Sequence, residues 1–115
     1  MATTQGDVSY PFGNADVQTP VYAAAIIATI TDRFTIINPA TLTGALALSL
    51  SINEGIKAGA RILVIALSDG TARTITFGAG FTSPTLAGVI SKTKTMEFVY
   101  DGTSFKPTSV GVQID

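Results

Sequence analysis

The chain has 115 residues, of which 46% are hydrophobic and 13% charged, and its formal net charge at pH 7 is −1. It is long enough for one domain with a hydrophobic core, and because it contains no histidine and no cysteine, it excludes Ser-His-Asp and Cys-His catalysis, disulfides and the commonest zinc ligand. The near-neutral charge removes the attraction on which binding to nucleic acid or an anionic membrane depends, so we expect neither as a partner. The missing residue types lead us to expect no enzyme and no metal or cofactor.

Residues 1–20 differ in composition from the rest of the chain. Glycine and proline interrupt this segment too often for a regular element of ordinary length, yet it carries apolar side chains that a disordered tail does not favour. We predict an extended N-terminal arm over residues 1–20, which docks on another surface, followed by one β domain over residues 21–115. The alternative is a loose terminus with incidental aromatic residues. The candidate contact residues of the arm are Tyr10, Phe12 and Val17.

Three segments in the first half of the chain have the composition of β-strands. Residues 22–31 and 34–38 are rich in isoleucine and threonine, and a two-residue link separates them. Residues 42–52 alternate strictly in their second half, with small residues on one side and four large apolar residues on the other. A period of two predicts a half-buried strand. The large residues are Leu46, Leu48, Leu50 and Ile52.

The middle of the chain continues with a second kind of strand. After its first residue, the segment 61–67 is uninterrupted apolar sequence, which is expected of a strand covered on both faces. Asp69 and Gly70 then favour a type I′ hairpin turn, because that turn requires positive φ angles. Residues 72–77 alternate again and are predicted to be the strand that returns from this hairpin.

The last third of the chain predicts a loop and a final hairpin. Residues 78–88 are rich in glycine, serine and proline and are predicted to form a long loop. Residues 92–100 alternate, a second Asp-Gly turn follows at 101–102, and 103–107 form a short return strand. We therefore predict an all-β fold, a small antiparallel sandwich or barrel of jelly-roll-like form.

Arg73 is a charged residue that shares a strand face with two large apolar residues, Ile75 and Phe77. One interpretation is that its aliphatic stem lies along the apolar face at the start of the strand. The other is that it forms an ion pair with a second subunit. The carboxylates, by contrast, are explained by turns and loops, so we expect no catalytic pair among them.

The low charge predicts that the chain associates with other copies of itself. A soluble domain usually carries about a quarter of its residues as charged side chains, and this chain has about half of that. Its apolar runs are far shorter than the roughly 20 residues of a membrane-spanning helix. The surplus apolar surface is therefore expected to be buried between subunits.

Residues 34–106 resemble a β-rich module that recurs in virion proteins of tailed bacteriophages. The resemblance lies in a strand that ends in Ile-Asn-Pro-Ala, in the alternating leucine strand after it, in a glycine before an apolar strand, and in the segment 68–77. It also lies in the final hairpin, where an aromatic residue, here Phe105, follows an Asp-Gly-Thr turn. Relatives often have tryptophan at that place.

The resemblance implies a structural role in the virion and carries no catalytic residues. Such modules occur in capsid decoration (cement) proteins, head fibres and tail-fibre or baseplate components, commonly as trimers. The absence of a long shaft favours a homotrimeric decoration protein that binds the major capsid protein on the head surface after synthesis in the host cytoplasm. The four candidate contacts with the capsid or another subunit are Tyr10, Phe12, Val17 and Arg73. The alternative is a fibre or baseplate module that binds a host receptor or glycan, with the loop 78–88 or the hydroxyl-bearing strand faces as its site.

Overall fold

A computed structural model describes residues 15–82 and 85–115, and every regular element in these two ranges is a β-strand. This confirms the all-β class that the alternating segments predict. The strands in chain order are β1 (Asp16–Gln18), β2 (Ala25–Ile30), β3 (Phe34–Ile37), β4 (Leu46–Ile52), β5 (Arg61–Leu67), β6 (Thr74–Phe77), β7 (Thr85–Ala87), β8 (Thr93–Tyr100), β9 (Phe105–Pro107) and β10 (Val112–Gln113).

The strands form two sheets, and the first six strands alternate between them. Sheet A contains β1, β3, β5, β8, β9 and β10, and sheet B contains β2, β4, β6 and β7. Because the chain crosses to the opposite sheet after each of the first five strands, it returns beside the strand before last in the same direction. In sheet A, β1 is therefore parallel to β3 and β3 to β5, and in sheet B, β2 is parallel to β4 and β4 to β6. This part of the chain coils around a shared core.

The prediction of an antiparallel fold is wrong for this coiled part. Over the described ranges, four strand pairings are parallel and four are antiparallel, the latter all involving β7 or β8. Within those ranges the two sheets do not close into a barrel, and a jelly roll, which is built from antiparallel strands, is not confirmed. The reason is physical: a period of two records only which side of a strand faces the core, not the direction of its neighbour.

The two Asp-Gly turns have different outcomes. The predicted hairpin at Asp69 and Gly70 is wrong, because β5 and β6 belong to different sheets and Gly70 lacks the positive φ that a type I′ turn needs. Residues 68–73 instead form a corner between the sheets. The second turn does join an antiparallel hairpin, β8–β9, in which Tyr100 pairs with Phe105 and Gly102 has a φ of 101°.

Side chains from both sheets meet in one hydrophobic core. The ring of Phe77 in sheet B lies with its centroid 4.9 Å from that of Phe98 in sheet A, and Phe81 contacts both rings. The predicted alternation of β4 is confirmed, since Leu46, Leu48 and Leu50 are buried. The core thus ties the coiled part of the chain to the antiparallel strand β8.

The described part of the predicted arm is an edge strand of sheet A. Residues 1–14, which include Tyr10 and Phe12, lie outside the described residues. Residues 16–18 form β1, and beyond it the amides of Asn38 and Ala40 donate hydrogen bonds to the carbonyl oxygens of Gln18 and Pro20. Backbone hydrogen bonds therefore join residues 16–20 to the domain.

Candidate interaction surfaces

Three ion pairs join ionisable side chains of the described residues. Asp101 pairs with Lys106, and Arg61 Nη1 lies 3.7 Å from Glu97 Oε2. The described ranges hold no group of three or more acidic residues placed to bind a metal ion. They also contain no helix with the length and apolarity needed to cross a membrane. The candidate sites are therefore surfaces, and two of them are the outer faces of the sheets.

Arg73 lies at the corner between the two sheets and pairs with Asp69 of the same chain. Its Nε is 2.8 Å from Asp69 Oδ1 and its Nη2 is 3.0 Å from Oδ2, a two-point contact between the two planar groups. The hydrogen bond from Arg73 lowers the pKa of Asp69 below its ordinary value and raises that of Arg73. Asp69 also accepts a hydrogen bond from the amide of Thr71. The pair thus braces the corner, and a contact of Arg73 with another subunit stays a prediction.

The outer side of sheet A carries eight apolar side chains, which together we call the apolar face. Its centre follows the strand register, since Ile36 of β3 pairs with Leu63 of β5, and Val17 of β1 pairs with Ile36. Most members are half-buried by their neighbours, whereas Val17 is 58% exposed. The members are Val17, Phe34, Ile36, Leu63, Ile65, Leu67, Val99 and Val112.

Strand β5 is the centre of this face and differs from its prediction. Its apolar run predicts a strand covered on both faces, and among residues 15–82 and 85–115 only one face is covered by the core. Ile62, Val64 and Ala66 are buried in the core, whereas Leu63 and Ile65 point outward. The outward residues are not among those packed against the core. A run typical of a doubly covered strand therefore has one side on which the described part of the chain packs no second layer.

The outer side of sheet B has a different chemistry, and we call it the hydroxyl face. It carries small alanine, serine and threonine side chains and no charged residue among its strand positions. Ile27, which is 72% exposed, is its one large apolar side chain. The hydroxyl residues are Thr29, Ser49, Ser51, Thr74, Thr76 and Thr85.

A cavity of about 390 Å³ lies between the β2–β3 link and the β4–β5 loop. Its polar lining comes from Asp32 and Arg33 on the first segment and from Lys57 on the second, and Ile56 adds an apolar wall. Acidic and basic side chains therefore both line this cavity. The cavity could hold a small polar group such as one sugar unit.

The segment that was predicted to be a long loop is anchored at its start and contains a strand. The amide of Leu50 donates to the carbonyl oxygen of Ala79 at 2.8 Å, and the amide of Phe105 donates to that of Gly80 at 2.7 Å. Gly80 has a φ of 92°, which favours glycine. Residues 78–80 therefore connect β4 to the final hairpin, and β7 follows within the predicted loop.

Two of the four predicted contact residues lie within the described ranges, and they belong to different elements. Val17 lies on sheet A and Arg73 at the corner before β6, while Tyr10 and Phe12 lie outside the described ranges. Sequence reasoning missed Leu63 and Ile65 as surface candidates, although the apolar run around them was the signal. Comparisons with family models, curated proteins and solved structures find no match to this chain.

Proposed function

We propose that this chain is a structural protein of a tailed-bacteriophage virion, namely a capsid decoration protein that binds the head shell as a homotrimer. The observation that carries the proposal is the apolar face, a broad surface suited to binding other protein chains, on a chain in which Asp69, Glu97 and Asp101 are paired with basic side chains. The resemblance of residues 34–106 to virion modules supports the same role. In this proposal the fold is a two-sheet sandwich with an N-terminal arm.

The proposed mechanism is binding without chemistry. Each copy adds apolar contact area across the boundaries between capsid subunits, and burial of apolar surface contributes about 25 cal/mol per Å². Contacts repeated over a lattice add up, so that modest individual contacts resist the pressure of packaged DNA. A trimer suits this position because a capsid offers threefold sites. In this proposal Tyr10, Phe12, Val17 and Arg73 contact the shell or a neighbouring subunit.

The test is binding to head shells assembled without this protein. Purified chain is mixed with the shells, and the bound fraction is measured by cosedimentation. We expect saturable binding by the full chain and a loss of at least about 10-fold in affinity for a variant lacking residues 1–14, because the candidate contacts Tyr10 and Phe12 are removed. The deletion stops before β1, since residues 16–18 pair with β3.

The control variant is Ile27→Thr, which alters one exposed side chain of the hydroxyl face and leaves residues 1–14 intact. It is expected to bind shells as the full chain does. Full-chain protein that does not sediment with shells would contradict the decoration role. Normal binding by the deletion variant would contradict only the role of the arm and would leave the decoration role standing.

A second candidate function is host recognition by a fibre or baseplate module. The hydroxyl face and the cavity beside Arg33 and Lys57 favour it, because hydroxyl and charged groups form the hydrogen bonds that orient a sugar. This function predicts hits on a glycan array and none of the shell binding described above. If Arg33→Ala leaves such hits unchanged, the cavity is not the sugar site.

A further inference from the structure

The apolar face of sheet A brings together large apolar side chains that the core does not use. It spans five neighbouring strands from β1 to β10. With strands about 4.8 Å apart and a rise of about 3.3 Å per residue, the residues of these five strands outline a patch of roughly 380 Å² in plan. The side chains that project from the sheet add to that area. A stable protein interface takes about 800 Å² from each partner, so the strands alone supply about half of it.

The charge of this face suits contact with an identical surface. Its charged members are Arg61 and Glu97, which pair with each other, and Lys106 at one side, which pairs with Asp101. Each charge therefore already has a partner of opposite sign in its own chain. A face with surplus charge of one sign would repel a second copy of itself, whereas this one does not. It also offers no field that would attract nucleic acid or lipid headgroups.

The apolar and polar residues of the face are divided between its strands. Ile36, Leu63 and Ile65 form an apolar group on β3 and β5. On β8 this group is bordered by Glu97 and Thr95, which pair in register with Leu63 and Ile65, and the ion pair of Glu97 is with Arg61 at the start of β5. Protein interfaces are depleted of charge at the core and polar at the rim. The opposite face, on sheet B, lacks this arrangement because its side chains are small and hydroxyl-bearing.

We infer that the apolar face of sheet A is the surface through which copies of this chain contact one another. The inference rests on the homotrimer of the proposed function and assigns its interface. It explains why β5 has the sequence of a strand covered on both sides: one side is covered by the core and the other by a second copy. It also gives the apolar residues that the core does not use a place between subunits, in a chain with 13% charged residues.

The experiment compares one substitution on two faces of the same molecule. Ile65 on β5 lies at the centre of the apolar face, and Ile27 on β2 is an exposed isoleucine of the hydroxyl face. The variants Ile65→Arg and Ile27→Arg therefore add the same charge to a strand position that points away from the core. The solution mass of each is measured by light scattering at micromolar concentration, and folding is checked by circular dichroism.

The expected result is a mass of three chains for the wild type and for Ile27→Arg, and of one chain for Ile65→Arg. An unpaired charge at a desolvated position raises the dissociation constant by roughly 100-fold or more. If Ile65→Arg does not fold, the solution mass of the milder variant Ile65→Thr is compared with that of the wild type instead. Threonine is a good strand former, so this variant is expected to fold. Wild-type mass in both Ile65 variants would overturn the inference.

Two further outcomes separate this inference from the proposed function. A wild-type dimer that Ile65→Arg dissociates supports the interface and contradicts the homotrimer. A monomeric wild type overturns the interface, and if removal of residues 1–14 then increases binding of a hydrophobic dye, that segment is the occupant instead. Binding to head shells is measured separately, so its failure contradicts decoration without touching the assignment of the subunit interface.

Discussion

At the scale of single residues, Thr35 is a buried polar residue beside the apolar core. It lies on the inner side of β3 with no exposed surface, and its Oγ1 has no hydrogen-bond partner. A buried hydroxyl without a partner loses its hydrogen bonds to water and gains none in return. Because valine has nearly the same shape, we expect Thr35→Val to raise the free energy of unfolding by about 1 kcal/mol.

Urea denaturation of the wild type and the variant measures this change. The matched control is Thr76→Val on the hydroxyl face, where the threonine is exposed and the substitution is expected to change stability by less than about 0.5 kcal/mol. A loss of stability in Thr35→Val would mean that the hydroxyl finds a partner. The sequence could not have indicated this residue, because threonine is an ordinary strand former on either side of a sheet.

At the scale of elements, the β8–β9 hairpin is held by the side chain of one turn residue. Asp101 Oδ1 accepts hydrogen bonds from the amides of Thr103 and Ser104, and its other oxygen pairs with Lys106. The bond from Lys106, followed by those from the two amides, holds the pKa of Asp101 well below its usual range. A carboxyl with a lowered folded-state pKa stabilises the protein above its unfolded pKa of about 3.9, and this contribution is lost as the pH falls below that value.

We therefore expect the free energy of unfolding to decline less steeply between about pH 4 and pH 2 in Asp101→Asn than in the wild type. Asparagine can still accept the two backbone hydrogen bonds, so the variant removes chiefly the charge. The control is Glu54→Gln, an exposed loop residue with no ion pair among the described residues, which should retain the wild-type slope. Denaturation at several pH values gives the slopes, and identical slopes for all three proteins would contradict the role of Asp101.

The elements themselves could be predicted from the sequence to different degrees. Strands β4, β5 and β8 follow from long alternating or apolar runs, because these patterns record burial directly. The short edge strands β1, β7 and β10 leave too few residues for a period to be read. Strand direction could not be predicted at all, since nothing in an alternating run distinguishes a parallel neighbour from an antiparallel one.

At the scale of the whole molecule, the two outer faces divide the surface by chemistry. The sequence indicates a surplus of apolar residues and an oligomer, but not which face carries the surplus. That assignment needs the register of sheet A, which aligns Val17, Ile36 and Leu63 across three strands. The coil is what brings them together, because residues distant in the chain become neighbours only when each strand returns beside its parallel predecessor.

The alternation of strands between the sheets also sets an order of folding. In the coil, Asp16 pairs with Thr35 and Leu46 with Ile75, whereas in the final hairpin Tyr100 pairs with Phe105. Closing a long loop costs more chain entropy than closing a short one. The hairpin is therefore expected to form early, and the coil to close afterwards on β5 and β8, with refolding on the millisecond-to-second scale that distant contacts impose.

Stopped-flow refolding tests this order. Phe105→Leu, which disturbs the stacked Tyr100–Phe105 pair of the hairpin, is expected to slow refolding. Ile30→Val, at a buried position of the outermost sheet-B strand β2, is expected mainly to speed unfolding. The reverse pattern would mean that the coil nucleates first. In the expected order the apolar face is completed last, because Val17 and Ile36 reach sheet A only when the coil has closed.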